Sequence, residues 1–403
     1  MRTYLANVDI ERPIANLWGT HGYTNARILV RSESRPLDEI WIALNKSKPA
    51  LSAKELGPLL EPYRPTLTRS KRAKRLLLPP ISVIVCTRDR PASLKHCLEA
   101  ISNIRHPEME VIVVDNASST DATREVVAEA GFRYVREDRP GLDWARNRGW
   151  QEASHDLVAY IDDDARAGEF WLEGLCRGFR DPETAATTGL VLPAELETNA
   201  QHLFESYGNG MSKGLERRQF QPTQMSTLEF IRSQDVGVGT NMAFRKSVLQ
   251  RLGGFDTALD VGTPSGGGGD LDMLHRVLAS GGNIAYEPSA LVRHRHRRDM
   301  NGLVRQMRNN GRSYGVYLMK LWRGGEVSKT VLLRFTIWTW GRWLAGRPIK
   351  RLFGRHRLPM SMLIAELRGA LSAPGAYRDT YKNDLRIRRE FGQPEIDGDT
   401  PDD

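Results

Sequence analysis

Residues 157–164 read LVAYIDDD, five apolar or aromatic residues that run straight into three carboxylates. A strand sends alternate side chains to the same side, so Asp162 and Asp164 are expected to converge while Asp163 points away. Two converging carboxylates repel unless a cation lies between them. Hard divalent ions such as Mg²⁺ and Mn²⁺ take oxygen ligands, commonly one or two carboxylates plus the phosphates of a bound substrate. Two readings fit the octapeptide: a seat for a metal diphosphate, or an acidic loop that closes a core strand.

Outward from that strand the pattern alternates. An apolar strand over 81–86 is followed by a helix over 91–104, a strand over 110–114, a helix over 119–130, a strand over 132–135 and a helix over 142–154. Buried apolar strands separated by helices predict an α/β fold, a Rossmann-like and mostly parallel sheet with helices on both faces. Ligands of such sheets bind beyond the carboxyl ends of the strands. Polar residues gather at that edge: Thr87, Arg88 and Asp89 after the first strand, Asp115 and Asn116 after the second, and Asp162, Asp163 and Asp164 after the fourth. Neither GxGxxG nor GxxxxGK[ST] follows the first strand, so a diphosphate here is expected to be neutralised by metal and side chains. A nucleotidyltransferase would be expected to carry a Gly-rich pyrophosphate loop at that point, and the sequence has none.

Four segments in order, SVIVCTRDR (82–90), VIVVDNASSTDAT (111–123), GLDWARNRGW (141–150) and LVAYIDDDA (157–165), together resemble the nucleotide-sugar half of the family 2 glycosyltransferases, which have the GT-A fold. The resemblance implies an inverting transfer of a sugar from a nucleotide-diphosphate sugar, UDP-sugar favoured, to a hydroxyl of a glycan, lipid-linked or small-molecule acceptor. It implies a donor site built from Thr87, Arg88, Asp89, Asp115 and Asn116 around base and ribose, with Arg146 at the diphosphate and Asp162 and Asp163 beside it. It further implies Mn²⁺ or Mg²⁺ on Asp162 and Asp164. Taken alone, ARNRG also fits an amphipathic helix with a solvated face.

The second half resembles the same family. A helix over 169–179, a strand over 185–192, a strand over 236–244 and a helix over 246–252 are expected, and the weakly periodic stretch 195–232 reads as a loop that shapes the acceptor side. Residues 262–272, GTPSGGGGDLD, lead a glycine run into a helix over 271–279. Asp270 reads either as that helix's N-cap or as a group that does chemistry, and the resemblance implies that it is the general base. The family usually carries Glu-Asp here, and Gly269 stands where the Glu is expected. Asp272, the backup, points roughly 200° away along the helix. A strand is expected over 283–286, and the segment 290–298, ALVRHRHRR, then brings His294 and His296 together. They are surface residues or, as in several metal-dependent relatives, one of them completes the metal site, with His294 preferred as nearer the strand. Gly269 keeps open a second class, a non-catalytic nucleotide-sugar-binding protein of the same fold.

Length and composition frame these readings. The chain has 403 residues, 40% hydrophobic and 27% charged, with 36 Gly and nine Trp. That suits a globular protein of two or three domains, divided here as a β-rich module with a basic linker (1–80), a catalytic domain (81–298) and a basic helical region (299–403). In the first, strands over 26–32 and 40–44 are expected around a turn at 35–38, then a helix with a Ser52–Glu55 capping box and a basic run at 69–75. A net charge of +9 suits polyanions, but the aromatic residues do not alternate with basic ones as in nucleic-acid readers, so no nucleic-acid partner is expected.

Three cysteines without ligand spacing read as reduced thiols. The first residues lack a secretory apolar stretch, and no run reaches the roughly 20 apolar residues of a membrane span. A cytoplasmic location is therefore expected. Between residues 332 and 351, Leu, Ile, Phe and Trp interleave with Arg334, Arg342, Arg347, Lys350 and Arg351. Such a stripe either packs on its neighbour or meets the inner face of a membrane peripherally. The acidic end, 392–403, is expected to be a disordered tail.

Overall fold

The computed structural model describes residues 2–64, 78–207, 210–354 and 358–394. The basic run at 69–75 and most of the acidic end lie outside the described residues. The first module holds β1 (Thr3–Asp9), β2 (Leu17–Trp18), β3 (Asn25–Ser32), β4 (Arg35–Ala43), β5 (Ala50–Leu51) and α1 (Ala53–Leu60). β3 lies between a parallel β1 and an antiparallel β4. The sequence reading did not foresee β1, whose burial does not alternate. The hairpin also turns earlier than expected. Glu33 takes φ +50°, so Arg35, Pro36 and Asp38 already pair with β3. The helix starts on the foreseen capping box, Ser52 with Glu55.

The main sheet is built from β6 (Ile81–Thr87), β7 (Met109–Asn116), β8 (Arg133–Glu137), β9 (Leu157–Asp162), β10 (Ala165–Ala167), β11 (Thr184–Pro193), β12 (Arg218–Phe220), β13 (Asn241–Arg245) and β14 (Asn283–His294). Its order is β10-β14-β11-β13-β9-β6-β7-β8, with β12 also on β14. β6, β7, β8, β9, β11 and β14 point the same way, and β13 runs against β9 and β11 in the middle of the sheet. Around it lie α2 (Pro91–Ser102), α3 (Ala122–Ala130), α4 (Leu142–Glu152), α5 (Trp171–Gly178), α6 (Asn199–Glu205), α7 (Thr227–Ile231), α8 (Lys246–Arg251) and α9 (Gly269–Ala279). The C-terminal region adds α10 (Met300–Gly324), α11 (Lys329–Arg334), α12 (Arg342–Leu352), α13 (Met360–Leu371) and α14 (Ala373–Glu390).

The apolar run of β6 is continuous because both of its faces are covered. Val83 and Val85 meet Leu94 and Leu98 of α2 and the α5 layer, whereas Ile84 faces Ala145 of α4 and the Met273 and Val277 layer of α9. Each such side chain stabilises the sheet by about 1.5–3 kcal/mol. Gly149 lets α4 approach closely, since a Cβ there would fall 2.3 Å from Ile84 Cγ2. That close seat brings Arg146, one turn earlier, over the sheet's carboxyl edge.

Three expectations change. The stretch 195–232, expected as a loop, contains α6, β12 and α7, and elements this short give little periodicity to read. The strand expected over 236–244 is shorter, 241–245, because Gly237 and Gly239 take the chain across Thr188 and Arg146 before pairing begins. The segments 283–286 and 290–298 form one strand that ends at His294.

The first module is docked on the sheet domain. The Thr3 N–H donates to the Leu196 carbonyl at 2.8 Å, Arg27 pairs with Glu205 at 2.5 Å, and Leu29 packs with Leu190 and Leu192. The C-terminal helices are equally tied. Lys320 of α10 reaches Asp256 at 2.5 Å and Asp272 at 2.8 Å, and Thr257 donates to Asp384 of α14 at 2.6 Å.

Candidate active site

β9 ends on Asp162, and after two intervening residues the chain enters β10. β10 pairs with the end of β14, Ala165 opposite His294. The turn and the pairing together bring Asp162, Asp164 and His294 into one group whose ligand atoms lie within 4.8 Å of one another. His294 Nε2 is 3.1 Å from Asp164 Oδ1. Burial would raise the Asp164 carboxyl, but His294 and Arg90 outweigh it and hold it down at about 2. Two carboxylates and an imidazole are a donor set that suits Mn²⁺ and also Mg²⁺.

Asp163 points the other way. Its oxygens accept from Thr87 Oγ1 at 2.7 Å and Arg90 Nη1 at 3.2 Å, and burial, with Asp164 close by, pushes its carboxyl up to about 6. The structure therefore does not bring Asp163 to the group of three. His296 also stands outside it: its Nδ1 lies 3.3 Å from His294 Nδ1, and its Nε2 faces Glu205 at 2.8 Å.

The loops after β6 and β7 are fastened to each other. Asp89, at φ +54°, accepts from the Ser119 N–H at 2.7 Å and its hydroxyl at 2.8 Å, while Arg88 stays exposed. Asn116 spends its amide on the loop before α4, donating to the Arg139 carbonyl and accepting from the Gly141 N–H. Asp115 is different. Its Oδ2 accepts from Tyr134 at 2.7 Å and Arg136 at 3.0 Å, and its Oδ1 is buried without a hydrogen-bond partner. A buried acceptor left unpaired costs about 1–3 kcal/mol, which marks a place for a ligand's N–H or O–H. Tyr134 and Arg136 were not foreseen, although they sit two apart on one strand beside Asp115.

Arg146 joins the halves of the site. It is buried, its Nη1 donates to Asp143 at 2.9 Å, and its Nη2 lies 3.9 Å from Asp162. Asp270 approaches the same guanidinium. Its Oδ2 accepts from the Gly239 N–H at 2.8 Å and its Oδ1 from the Leu271 N–H at 2.9 Å. A Cβ on Gly239 would fall 2.9 Å from both Arg146 Nη2 and Asp270 Oδ2, so only glycine leaves room for both groups there. Asp270 is not the N-cap; Gly268 holds that position. Asp272 turns away, as expected, into ion pairs with Arg276 at 2.7 Å and Lys320 at 2.8 Å.

Gly269 has a physical reason. A Cβ built on it would fall 1.6 Å from Asp143 Oδ2, so the space next to Asp270 is already taken by a carboxylate that arrives from α4. Asp143 is fully buried, and burial pushes its carboxyl up to about 7 against the pull of Arg146. Its N–H donates to Asp260 Oδ2 at 2.8 Å, which serves the N-terminus of α4 where Gly141 has no side chain to do so. The sequence reading passed over Asp143, but its place three residues before Arg146, one helix neighbour away, was a usable signal. Gly269→Ala is expected to cost about 1–3 kcal/mol through overpacking, read as a lower denaturation midpoint; an unchanged midpoint would mean that Asp143 swings clear.

A cavity of about 770 Å³ lies elsewhere, lined by Phe230, Leu252, His275, Arg276 and Glu326 among others, and none of the site residues lines it.

Residues 82–253 match the model of a known family, Glycosyl transferase family 2. Over those residues the chain is similar to that family. Among curated proteins, this chain is similar to the pre-mycofactocin glycosyltransferase of Mycobacterium tuberculosis, 25% identical over 227 residues. That match covers 56% of this chain and 44% of the mycobacterial protein, so the chain spans less than half the length of that relative. It is also similar to the glycosyltransferase AglE of Haloferax volcanii, 25% identical over 269 residues, covering 65% of this chain and 80% of the other. Among solved structures it is similar to the mannosyltransferase PcManGT from Pyrobaculum calidifontis in complex with GDP-Man and Mn²⁺, at 19% identity and a TM-score of 0.45, covering 85% and 86% of the two chains.

Proposed function

We propose that this protein is an inverting glycosyltransferase that moves a sugar from a nucleotide-diphosphate sugar, UDP-sugar favoured, to an acceptor hydroxyl. The observation that carries this reading is that one buried arginine, Arg146, has both a metal-competent group and Asp270 close by. Asp115 offers its unpaired Oδ1 to a base N–H or a ribose hydroxyl, with Thr87, Arg88, Asp89 and Asn116 shaping the loops around that pocket. Asp162, Asp164 and His294 would hold Mn²⁺ or Mg²⁺. A divalent ion bound there supplies Lewis-acid stabilisation of the diphosphate leaving group. Arg146 adds a fixed positive charge next to it, preorganised by Asp143. Asp270, held by two backbone N–H groups, takes the acceptor proton on the face opposite the leaving group.

A non-catalytic sugar-nucleotide binder is the second reading, and it rests on Gly269. Asp143 weakens it, because the carboxylate missing at position 269 is present in space. The deciding experiment is nucleotide release from a panel of UDP-, GDP- and dTDP-sugars with Mn²⁺, with and without EDTA, over a set of acceptors. Metal-dependent release from one donor is expected; donor binding without release from any acceptor would favour the binder.

We also place the protein peripherally on an anionic membrane surface, on the cytoplasmic side. No helix among the described residues is long and apolar enough to cross a bilayer. Yet Ile337, Trp338, Leu352 and Phe353 are 55%, 70%, 74% and 74% exposed; of the same stripe, Trp340 packs on Tyr314, and Trp343 touches Tyr207 while staying 42% exposed. The sequence from 327 to 365 contains no acidic residue, while Lys329, Arg334, Arg342, Lys350 and Arg351 flank the exposed side chains. Such a surface pairs interfacial Trp with basic groups that each contribute about 1 kcal/mol near anionic lipid. Flotation with phosphatidylglycerol vesicles is expected to carry the protein, and Trp338→Ser with Arg342→Ser to weaken it about tenfold or more; equal behaviour on phosphatidylcholine would refute a charge-led contact.

A further inference from the structure

The second histidine and the first module are linked by one line of contacts that ends at the metal-competent group. His294 Nε2 faces Asp164, and His294 Nδ1 lies 3.3 Å from His296 Nδ1. His296 Nε2 lies 2.8 Å from Glu205 Oε1, and Glu205 Oε2 accepts from Arg27 Nη1 at 2.5 Å. Arg27 belongs to β3 of the first module, and its Nε and Nη2 are held by Glu39 at 2.8 and 2.9 Å. The line is dry: Arg27 is 8% and His296 3% exposed, and the Phe204 ring packs edge-on against His296 at 4.7 Å.

Hydrogen-bond chemistry allows this line only one assignment when His294 offers a lone pair to a cation. Its Nε2 must then be bare, so its ring hydrogen is on Nδ1. The group within reach of that hydrogen is His296 Nδ1, which must accept. His296 therefore carries its own hydrogen on Nε2 and donates it to Glu205, whose other oxygen is neutralised by Arg27. Every member has one role and no member is left with two donors facing.

We propose that His296 is a positioning residue that fixes the ring orientation and tautomer of His294 for a divalent cation, with Glu205 behind it and Arg27 of the first module as the far anchor. This rests on the metal reading of the proposed function, but it concerns residues that touch neither metal nor substrate. Partners of metal-ligating histidines are commonly carboxylates or carbonyls, and their loss typically costs 10–100-fold in metal affinity. Here an imidazole is placed between ligand and carboxylate, and the carboxylate's counter-charge is delivered from a separate module.

The test is direct Mn²⁺ binding to the full chain, followed by loss of the free Mn²⁺ electron-spin-resonance signal, with a thermal melt of each variant. His296→Phe, which keeps the contact with Phe204 but has no acceptor, is expected to weaken Mn²⁺ binding 10–100-fold. His296→Gln, whose amide can accept on one side and donate on the other, is expected to recover most of that loss. Arg27→Gln is expected to weaken Mn²⁺ binding in the same direction although it lies in another module. A purely structural role would lower the melting temperature and leave the affinity of the folded protein unchanged. Unchanged Mn²⁺ affinity in folded His296→Phe, or in Arg27→Gln if the first fails to fold, overturns the inference. Absence of Mn²⁺ binding by the unaltered protein overturns it together with the metal reading, whereas wild-type binding with unaffected variants sinks the inference alone.

Discussion

Asp270→Asn is expected to lower turnover about 10²–10⁴-fold, the usual contribution of a positioned base, while donor affinity in Mn²⁺ changes only a few-fold. The separation follows from geometry. Asp270 is not one of the group of three, and its carboxylate is aimed by the Gly239 and Leu271 N–H groups. Asparagine keeps the shape but has one acceptor oxygen for two N–H donors, so its amide N–H₂ must face one of them; the melting temperature has to be read alongside. A folded variant with full turnover would remove Asp270 from the chemistry. Asp272 could not then replace it, because both its oxygens are bound in ion pairs with Arg276 and Lys320.

Asp164→Ala is expected to act earlier, on the donor itself. It removes one of two carboxylates from the group and leaves His294 and Arg90 without their shared partner, so one carboxylate and one imidazole remain where a cation would sit, and the Arg90 guanidinium is no longer offset there by Asp164. Mn²⁺ affinity is expected to fall at least as far as the 10–100-fold that loss of an outer partner costs, and Mn²⁺-dependent nucleotide binding with it. Asp163→Asn is the control. It alters a neighbouring carboxylate of the same run that faces Thr87, and its effect on Mn²⁺ affinity is expected to be much smaller. Nucleotide affinity in Mn²⁺ that is the same for Asp164→Ala and the unaltered protein would refute the metal role.

The donor half was readable because its signals are local. β6, β7 and β9 each hold one apolar run, and their polar ends lie next to it in sequence. The acceptor half was not, because short elements such as α6 and β12 carry too few residues for a period to emerge. Contacts between distant residues were also out of reach. Asp143 against Gly269 and Arg27 against Glu205 join positions 126 and 178 apart, and nothing in either neighbourhood announces the other. Alternation did give Asp163 its direction, away from Asp162 and Asp164, whereas His296 lies beyond the end of β14, where alternation no longer applies, and faces Glu205.

The antiparallel β13 has a consequence for how the chain is made. β6 to β9 are contiguous, from residue 81 to residue 162, and pair in parallel through short crossovers, so this half can assemble as it leaves the ribosome. The inner edge of β9 can pair only when β13, residues 241–245, has been synthesised. At about 5–20 residues per second that interval is roughly 4–17 s, during which Val158 to Ile161 present an open, apolar strand edge. Open edges of this kind are templates for association between chains. The strand that delivers the carboxylates is thus also the one left waiting on the nascent chain, and a pause in translation before codon 241 is expected to raise the aggregated fraction more than a pause of equal length after codon 245.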